Sequence, residues 1–235
     1  MAAVTSVRAG PSREAVDVRR RTRRTRAQAV VDCATFPVRA VLPWRDDRWG
    51  LTSRRSERFI EVASRVRGRT LDVGCGRHDI FVREFLDGDG IGIDVYAYDG
   101  LLPSQIVEDM HGLPFDDASF DTVTLVATLN HVPERDRDAE LGEMWRCLRP
   151  GGNVIVTMGH PFAEWAIHRL VAFYDRVLGT SLDVDDERGM HEDESFFVAN
   201  SEIVARLRRA GFRGISRRRF WTQWGLNGLV EGWKP

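Results

Sequence analysis

Four short apolar runs in the middle of the chain have the length and composition of buried strands: residues 70–74, 90–95, 121–127 and 153–158. The stretches between them are polar or place their apolar residues at helical spacing: 78–87, 97–106 and 134–148. Strands that alternate with helices at this interval are typical of βαβ units, which build a parallel sheet. The pattern therefore predicts an α/β fold for the middle of the chain.

A helical pattern precedes the first apolar run. Residues 53–67 place four apolar side chains on one face: Phe59, Ile60, Ala63 and Val66. Ser53 and Ser56 are both suitable N-caps, because a serine hydroxyl accepts a hydrogen bond from a backbone N–H of the first turn. We expect a helix that packs this apolar face on the sheet.

The alternation of strands and helices stops after residue 158. Residues 159–199 are rich in His, aromatic and acidic residues and form an insertion. A helix is predicted over 201–210, with Asn200 or Ser201 as N-cap and Gly211 as its stop. Two closing strands, 213–221 and 226–233, are predicted on either side of the sequence TQWG.

Length and composition favour one medium-sized domain, since 43% of the 235 residues are apolar. No apolar run approaches the roughly 20 residues that span a bilayer, and no apolar segment follows the basic start. Neither a membrane span nor a secretory signal is therefore predicted. The three cysteines, at 33, 75 and 147, fit neither a disulfide framework nor a zinc pattern, which favours a reducing, cytoplasmic setting.

Charge is uneven along a chain whose net charge is −1. Residues 1–30 contain eight arginines against Glu14 and Asp17, and they lack helical or strand periodicity, which predicts a disordered basic tail. Lys234 is the one lysine among the 34 basic residues, so the tail follows a general preference for arginine and is weak support for a nucleic-acid arm. We expect the folded domain to be 31–235.

The sequence GCGRHD, residues 74–79, follows the first predicted strand and has a glycine-rich turn with two interpretations. A dinucleotide fingerprint needs a third glycine where Asp79 stands, and no Gly-Lys-Ser/Thr follows to make a P-loop. The alternative is a nucleoside without phosphate that carries an ammonium and a sulfonium. Asp72 at the strand end then suits the cation, and Asp94, 22 residues later, suits the ribose hydroxyls.

Four motifs in order between Leu71 and Met158 resemble those of class I S-adenosylmethionine-dependent methyltransferases, in particular small-molecule methyltransferases: LDVGCGRHD, GIDV, EDMHGLPFDDASFDTVTLVATLNHV and WRCLRPGGNVIVTM. The resemblance implies a doubly wound, Rossmann-like sheet of seven strands, six parallel and one antiparallel, with the ligand at the carboxyl ends of the strands. It also implies S-adenosylmethionine as the cofactor.

The resemblance further implies a role for each cofactor-binding residue. Asp72 lies near the amino group of the methionine part, and three residues supply backbone beside the amino acid and the ribose: Gly74, Cys75 and Gly76. Asp94 accepts from the ribose hydroxyls. The remaining residues contact the adenine or lie near the sulfonium: Val95, Asp109 and Met110 on the adenine, and Ala127 at the sulfonium.

The acceptor site is expected in the variable parts of the chain. We expect 159–199 to form a helical lid, and five aromatic residues are candidates for acceptor contacts: Trp44, Trp49, Phe162, Trp165 and Phe196. Three histidines are candidate general bases: His131, His160 and His191. His131 also has a structural explanation. His78 is either a donor to the cofactor carboxylate or a surface residue, and no metal site is predicted.

These observations predict a methyltransferase that modifies an oxygen, nitrogen or carbon of a small, aromatic or apolar metabolite, of the kind found in secondary metabolism. No nucleic-acid or membrane partner is predicted, and the sequence does not indicate an oligomeric state. Alternative hypotheses are methylation of RNA or protein, a nicotinamide-dependent oxidoreductase, and a binding module that keeps the fold without catalysis.

Overall fold

The structure is a computed structural model that describes residues 24–41, 49–160, 169, 176 and 197–235. Six strands form one sheet: β1 Thr70–Val73, β2 Ile91–Ile93, β3 Phe120–Val126, β4 Leu148–Gly159, β5 Arg213–Arg219 and β6 Asn227–Trp233. Five α-helices have bounds within the described residues: α1 Arg26–Ala34, α2 Phe36–Val41, α3 Arg54–Ala63, α4 Arg137–Cys147 and α5 Asn200–Arg209. Within these ranges the chain has the α/β architecture that the apolar runs predict.

The strand order is β2-β1-β3-β4-β6-β5. Neighbours from β2 to β4 are parallel, whereas β6 is antiparallel to both β4 and β5. In the sheet, β2 lies on one side of β1 and β3 lies on the other side. Ligands of open α/β sheets bind at such a switch point, outside the carboxyl ends of the strands. Here those ends are Gly74, after β1, and Ala127, after β3.

The strand count differs from the expected seven, because the described residues form six strands. Beyond β2 the sheet continues only as a single parallel bridge between Asp94 and Ile106. The Asp94 N–H donates to the carbonyl of Gln105, and the Val107 N–H donates to the carbonyl of Asp94. A short edge of this kind limits pairing with other chains, and Pro103, which cannot donate a ladder hydrogen bond, precedes it in the chain.

Two of the stretches that the pattern left as polar or helical, 78–87 and 97–106, do not form α-helices. His78 and Asp79 have φ angles of 64° and 48°, so the segment after β1 is a 3₁₀ turn followed by a π-helical turn, Phe81–Phe85. Between Val95 and Ile106, the one helical element is the 3₁₀ turn Pro103–Gln105. Left-handed backbone at non-glycine residues is unfavourable for regular helix, which explains the first difference.

The helix caps agree with the sequence at α3 and differ at α5. Ser53 caps α3, since its Oγ accepts from the Ser56 N–H at 3.0 Å. In α5 the N-cap is Ala199, so the prediction of Asn200 or Ser201 is wrong. Asn200 already has helical backbone, and its side chain lies against Gly228 of β6.

The core consists of two clusters of buried apolar side chains. The larger cluster includes Leu141 and Met144 of α4, and Ile203 and Leu207 of α5. The smaller one packs Phe59 of α3 with residues of the turn after β1 and of the strands. In the described part of the chain, no helix combines the length and apolar character needed to cross a bilayer.

The first helix begins inside the range 1–30 that was expected to be disordered. Residues 26–30 belong to α1, so that expectation is wrong for them, and residues 1–23 lie outside the described residues. Arg24 explains the difference, because it pairs at 3.0 Å with the buried carboxylate of Asp32 and at 3.1 Å with that of Glu57. Charge thus holds this segment where apolar periodicity is lacking.

Candidate active site

A cavity of about 630 Å³ opens at the carboxyl ends of β1 and β3. Two segments face each other across it: the turn after β1, and one side of α3. We refer to the first, residues 72–77, as the turn wall. The second is the arginine wall, made of Arg54, Arg55, Arg58 and Phe59.

Asp72 is the buried acid of the turn wall. Its carboxylate is almost inaccessible, at 2% exposure, and accepts from the Thr124 hydroxyl at 2.5 Å. Burial raises the pKa of Asp72 to about 8 against the opposing effect of this hydrogen bond, and the nearby carboxylates of Asp79 and Asp94 raise it further. Asp72 is therefore mostly neutral at pH 7, and a bound cation favours its ionised form.

The two glycines of the turn are suited to their positions for different structural reasons. Gly74 has φ +73°, and a Cβ there would lie 2.1 Å from Cγ2 of Thr128. Gly76 has φ +65°, yet a Cβ there would meet no protein atom within 4 Å. The first glycine is required by packing, whereas the second leaves open space in front of the backbone, as close approach of a ligand requires.

Cys75 lies between these glycines, and its backbone is held by β2. The N–H groups of Gly74 and Cys75 both donate to the Ile93 carbonyl, at 2.9 and 3.0 Å. Burial, followed by the charges of the neighbouring carboxylates, raises the pKa of the Cys75 thiol. A thiol with a raised pKa is a poor nucleophile, so Cys75 serves as a small filler.

Asp94 directly follows β2 and is joined to the turn wall by a hydrogen bond. It is 6% exposed; Oδ2 accepts from the Gly76 N–H and Oδ1 from the Tyr96 N–H, both at 3.0 Å. Each carboxylate oxygen has a second lone pair for a hydroxyl donor. Val95, the next residue, is 45% exposed at the same end of the sheet.

The predicted adenine contacts Val95, Asp109 and Met110 do not line the cavity, and neither does Asp94. The side chain of Met110 is buried in the larger core cluster. Asp109 is exposed, and its Oδ1 accepts from the N–H groups of His111 and Gly112 at 2.7 and 3.1 Å. This carboxylate closes a local Asx turn, which sequence spacing does not reveal.

Asp79 replaces the third glycine of a dinucleotide fingerprint and points inward. It is buried, and its Oδ2 accepts from the Gln105 amide at 2.9 Å. Its other oxygen lies so close to Gly92 that a Cβ there would be 2.2 Å away. Burial raises the pKa of this carboxyl. Asp79 thus packs against the buried side of the turn and does not line the cavity.

Ala127 lies across the cavity from the turn, where β3 ends. It has φ 60°, and its N–H is shared between the hydroxyl and the carbonyl of Thr157, at 3.1 and 3.2 Å. These bonds join the ends of β3 and β4 and hold the strained residue in place.

The candidate bases are not gathered at the cavity. His131 lies in the 3₁₀ turn Leu129–His131, and its Nε2 lies 3.2 Å from the Asn130 side-chain amide. His160 is exposed, and its backbone N–H donates to the carbonyl of Leu226. Neither residue lines the cavity, whereas His78 does. His191 lies outside the described residues.

Most of the aromatic candidates for acceptor contacts lie outside the described residues. Trp44, Phe162, Trp165 and Phe196 lie outside the described residues, as does most of the predicted lid, 159–199. Trp49 is described, is 76% exposed and does not line the cavity.

The arginine wall is the main feature that sequence reasoning missed. Residues 54, 55, 58 and 59 share one side of α3 and line the cavity together. Arg55 lies over the ring of Phe59, 5.4 Å from its centroid, and Arg58 donates to the Asn227 side chain at 3.2 Å. The available signal was the recurrence of arginine at i and i+4, which places two charges on the same helical face.

Buried ions on the other side of α3 fix this wall. Glu57 is fully buried and pairs with Arg39 of α2 at 3.0 Å and with Arg24 at 3.1 Å. Glu57 also accepts a hydrogen bond from the hydroxyl of Thr222, in the turn between β5 and β6. Arg39, also buried, donates to the carbonyls of Asp32, Thr52 and Thr222. We refer to these residues as the ion network.

A loop after β2 adds a further aromatic side chain to the cavity lining. The His78 N–H donates to the carbonyl of Asp99 at 2.9 Å, and Gly100 packs so tightly on the His78 ring that a Cβ there would lie 2.2 Å from Nδ1. The loop therefore leans over the turn and places Tyr98 in the cavity lining. The sequence pattern over 97–106, which is polar or helical, did not indicate this arrangement.

Comparison with known proteins identifies the family. The family model described as a methyltransferase domain matches residues 71–156. A demethylmenaquinone methyltransferase of Roseiflexus castenholzii is 30% identical over 171 residues, which are 64% of this chain and 70% of the relative.

The chain belongs to the class I S-adenosylmethionine-dependent methyltransferases.

S-adenosylmethionine is accordingly the cofactor of this methyltransferase. A ubiquinone/menaquinone biosynthesis C-methyltransferase of Brucella anthropi is 29% identical over 52% of this chain, and the match spans about half of that relative, 47%. Among solved structures, a methyltransferase of Thermotoga maritima is similar in fold, with a TM-score of 0.50 and 19% identity over 72% of this chain and 83% of that one.

Proposed function

We propose that this methyltransferase transfers the methyl group of S-adenosylmethionine to a small metabolite with an aromatic or apolar body. One observation carries the proposal: the turn wall, where the methionine part of the cofactor is expected, shares one cavity with the rings of Phe59, Phe85 and Tyr98. Aromatic rings in a cavity lining suit an aromatic or apolar ligand body, and the polar side chains of the same lining can fix its orientation. The names of the relatives, which refer to ubiquinone and menaquinone biosynthesis, support an acceptor of this size.

The residues at the sheet switch point fit the cofactor. The space in front of Gly76 admits a ligand, and the buried carboxyl of Asp72 suits a cation. We propose that Asp94 holds the ribose hydroxyls through its remaining lone pairs and that exposed Val95 covers the adenine. Asp109 and Met110 stay predicted adenine contacts. When bound, the cofactor supplies an activated methyl group on a sulfonium.

The chain's own contribution is alignment and exclusion of water. In-line displacement from a sulfonium needs the acceptor atom held close to the methyl group, and such positioning is worth several kcal/mol, about 7–11 in favourable cases. Ala127, fixed by Thr157, and the turn wall set the cofactor side of that line. A base is needed only when the acceptor must lose a proton. His78 is the imidazole that lines the cavity among the described residues.

The experiment that tests the proposal uses methyl-labelled S-adenosylmethionine with fractionated cell extracts. We expect label in the small-metabolite fraction, with the product identified by mass spectrometry. Label in RNA or protein would support the alternative acceptors. Calorimetry with S-adenosylhomocysteine and NAD is the companion measurement, since tight NAD binding without S-adenosylhomocysteine binding would contradict methyl transfer altogether.

A further inference from the structure

We propose that a surface beside the candidate active site docks on an anionic lipid membrane. Its apolar part lies in the turn between β5 and β6 and on α1, and its basic part lies on α1 and β5. We refer to the following residues as the tryptophan surface: Arg26, Val30, Arg217, Arg218, Arg219, Trp221 and Trp224. The sequence predicted no membrane partner because it shows neither a span nor a secretory signal, but docking on a membrane surface needs neither. Docking does not depend on the identity of the acceptor, so it goes beyond the proposed function.

Two tryptophans of the turn between β5 and β6 are exposed, Trp221 at 52% and Trp224 at 59%. The indole N–H of Trp224 donates to the carbonyl of Cys33 at 3.1 Å, so the part of this ring that faces solvent is mainly carbon. The ring also packs on Phe36, with centroids 5.6 Å apart. Trp224 has φ 52°, a conformation that is unfavourable for a bulky residue and is found where a structure serves a binding role. The turn thus holds apolar rings outwards in a defined position.

Helix α1 extends the apolar part of the surface. It packs on the turn, and Sγ of Cys33 lies 3.6 Å from the carbonyl oxygen of Trp221. Arg26 and Val30 precede Cys33 by seven and three residues, so they share the side of α1 that faces the turn. Both are exposed. A basic and an aliphatic side chain therefore lie beside the tryptophans, a combination that is typical of helices that lie on membranes.

The basic part of the surface comes mainly from β5, the edge strand of the sheet. Its residues 217–219 are three consecutive, exposed arginines, and none of them takes part in an ion pair with the described residues. The residues opposite them on β6 are not acidic: Val230, Leu229 and Gly228. Over 24–41 and 213–226 the one acid is Asp32, which is buried and paired with Arg24. The surface therefore presents positive charge without exposed acids of its own segments, which is complementary to an anionic membrane.

The combination of residues favours lipid over other anionic partners. Arginines alone would protect an edge strand from pairing with other chains, but exposed tryptophans do not serve that purpose. Clustered apolar side chains at a surface mark a site that is covered when the protein functions. Tryptophan is enriched at membrane–water interfaces, and arginine is attracted to anionic headgroups. RNA would use the arginines and the rings but would gain little from Val30, whereas a lipid interface accommodates all three residue types.

The tryptophan surface adjoins the candidate active site. The side-chain amide of Gln223, between the two tryptophans, donates to the carbonyl of Arg54 at 3.4 Å. Arg58 donates to Asn227, where β6 begins, at 3.2 Å. The turn is thus joined to the arginine wall of the cavity, and a docked membrane would lie beside it. An acceptor with an apolar body dissolves in lipid, so docking would bring the cavity close to its acceptor; this consequence rests on the proposed function.

The test is sedimentation of the full-length protein with lipid vesicles, of phosphatidylcholine alone or of equal parts phosphatidylcholine and phosphatidylglycerol. We expect binding to the mixed vesicles to be about tenfold or more tighter, because each arginine near an anionic surface adds to the affinity. Arg217→Gln/Arg218→Gln should weaken binding to the mixed vesicles by about tenfold or more. Trp221→Ala should weaken it several-fold, whereas Trp221→Phe, which keeps an aromatic ring, should retain most of the affinity.

Arg149→Gln/Arg208→Gln is the matched control. Both arginines are exposed and lie near the starts of β4 and β5, at the other end of the sheet, so this variant should bind vesicles like the unmodified protein. Every variant should keep the S-adenosylhomocysteine affinity of the unmodified protein, which shows that the fold is intact. Absence of that affinity in the unmodified protein would refute the proposed function and not the docking.

The inference is overturned if the unmodified protein does not bind the mixed vesicles. It is also overturned if the variants of the tryptophan surface bind as tightly as the unmodified protein, since the arginine-rich residues 1–23, present in every variant, would then carry the binding. Loss of RNA binding instead of vesicle binding in these variants would assign the surface to another partner. So would a dimer, detected by analytical ultracentrifugation, that Trp221→Ala dissociates.

Discussion

The two walls of the cavity are held in place by different interactions. The turn wall is continuous in sequence, and backbone hydrogen bonds from Gly74, Cys75 and Gly76 fasten it to the end of β2. The arginine wall depends on the ion network, which joins α3 to α1, α2 and the turn at Thr222. One wall is thus fixed locally by the backbone, and the other by charged side chains from distant parts of the chain.

This difference indicates a division of roles. Backbone geometry around a glycine turn tolerates few substitutions and suits a cofactor that stays the same. A helix whose outer face is held by ions can change the residues of its inner face without disturbing those ions. We therefore expect changes at the arginine wall to alter acceptor binding, and changes at the turn wall to alter cofactor binding. Substitutions on each wall test whether the two are separable.

The largest effect is expected from Glu57→Ala, which leaves Arg24 and Arg39 buried without their shared carboxylate. Removing one partner of a buried ion pair typically costs about 3–5 kcal/mol. We expect a loss of that size in the free energy of unfolding, measured by urea denaturation. Glu61→Ala is the control, because Glu61 is partly exposed and its pairs with Arg24 and Arg65 should contribute about 1 kcal/mol or less. Equal losses for both variants would contradict the structural role of the network.

The second prediction compares Gly74→Ala with Gly76→Ala on the turn wall. Both place a Cβ at positive φ, which costs about 1–2 kcal/mol, but only at Gly74 does the Cβ collide with Thr128. Gly74→Ala should therefore lower the free energy of unfolding by about 2–4 kcal/mol once overpacking is added. Gly76→Ala should lose less stability yet weaken S-adenosylhomocysteine binding about tenfold or more. Normal binding by a folded Gly76→Ala protein would place the cofactor elsewhere.

An effect that depends on pH, in contrast to a loss at fixed pH, is expected from Asp72, whose folded-state pKa of about 8 lies above its ordinary value of 3.8. The folded protein holds this proton between these values and the unfolded chain does not, so the contribution of Asp72 to stability is full below pH 4 and is lost as pH rises towards 8. Asp72→Asn should flatten that part of the stability profile, measured by thermal unfolding.

The same linkage predicts a pH dependence of cofactor binding. If the cofactor cation favours ionised Asp72, binding releases a proton below pH 8, and S-adenosylhomocysteine affinity should rise by at most about tenfold per pH unit up to that point. Calorimetry in two buffers with different ionisation enthalpies measures the proton release. A pH-independent affinity in the unmodified protein, matched by Asp72→Asn, would mean that Asp72 does not meet the cation.

The turn wall was predictable because its information is local. The Gly74-Cys75-Gly76 turn, Asp72 and Asp94 are placed by one βαβ unit, and hydrophobic periodicity identified its strands. Asp79 was recognised as unusual in the sequence, although its inward orientation depends on Gln105 and Gly92, which become its neighbours only after folding.

The arginine wall was not predictable in the same way. Phe59 indicated the core-facing side of α3, but buried Glu57 contradicts a purely apolar interpretation of that helix. A charged residue is buried only with partners, and those partners, Arg24 and Arg39, lie in segments with weak patterns of their own. The conformation of residues 97–106, which the pattern left as polar or helical, has a similar cause, since the packing of Gly100 on His78 is a tertiary contact.

The most direct test of the account is a calorimetric titration of S-adenosylhomocysteine into the unmodified protein and into Asp94→Ala. Asp94 joins the turn wall to the end of β2 and is the proposed acceptor for the ribose hydroxyls. We predict that the unmodified protein binds and that the variant loses about 1.5–3 kcal/mol of affinity, as expected when hydroxyls lose a charged acceptor. Asp89→Ala, an exposed residue in the loop before β2, should bind normally. Equal affinity of the unmodified protein and Asp94→Ala would contradict the cofactor site.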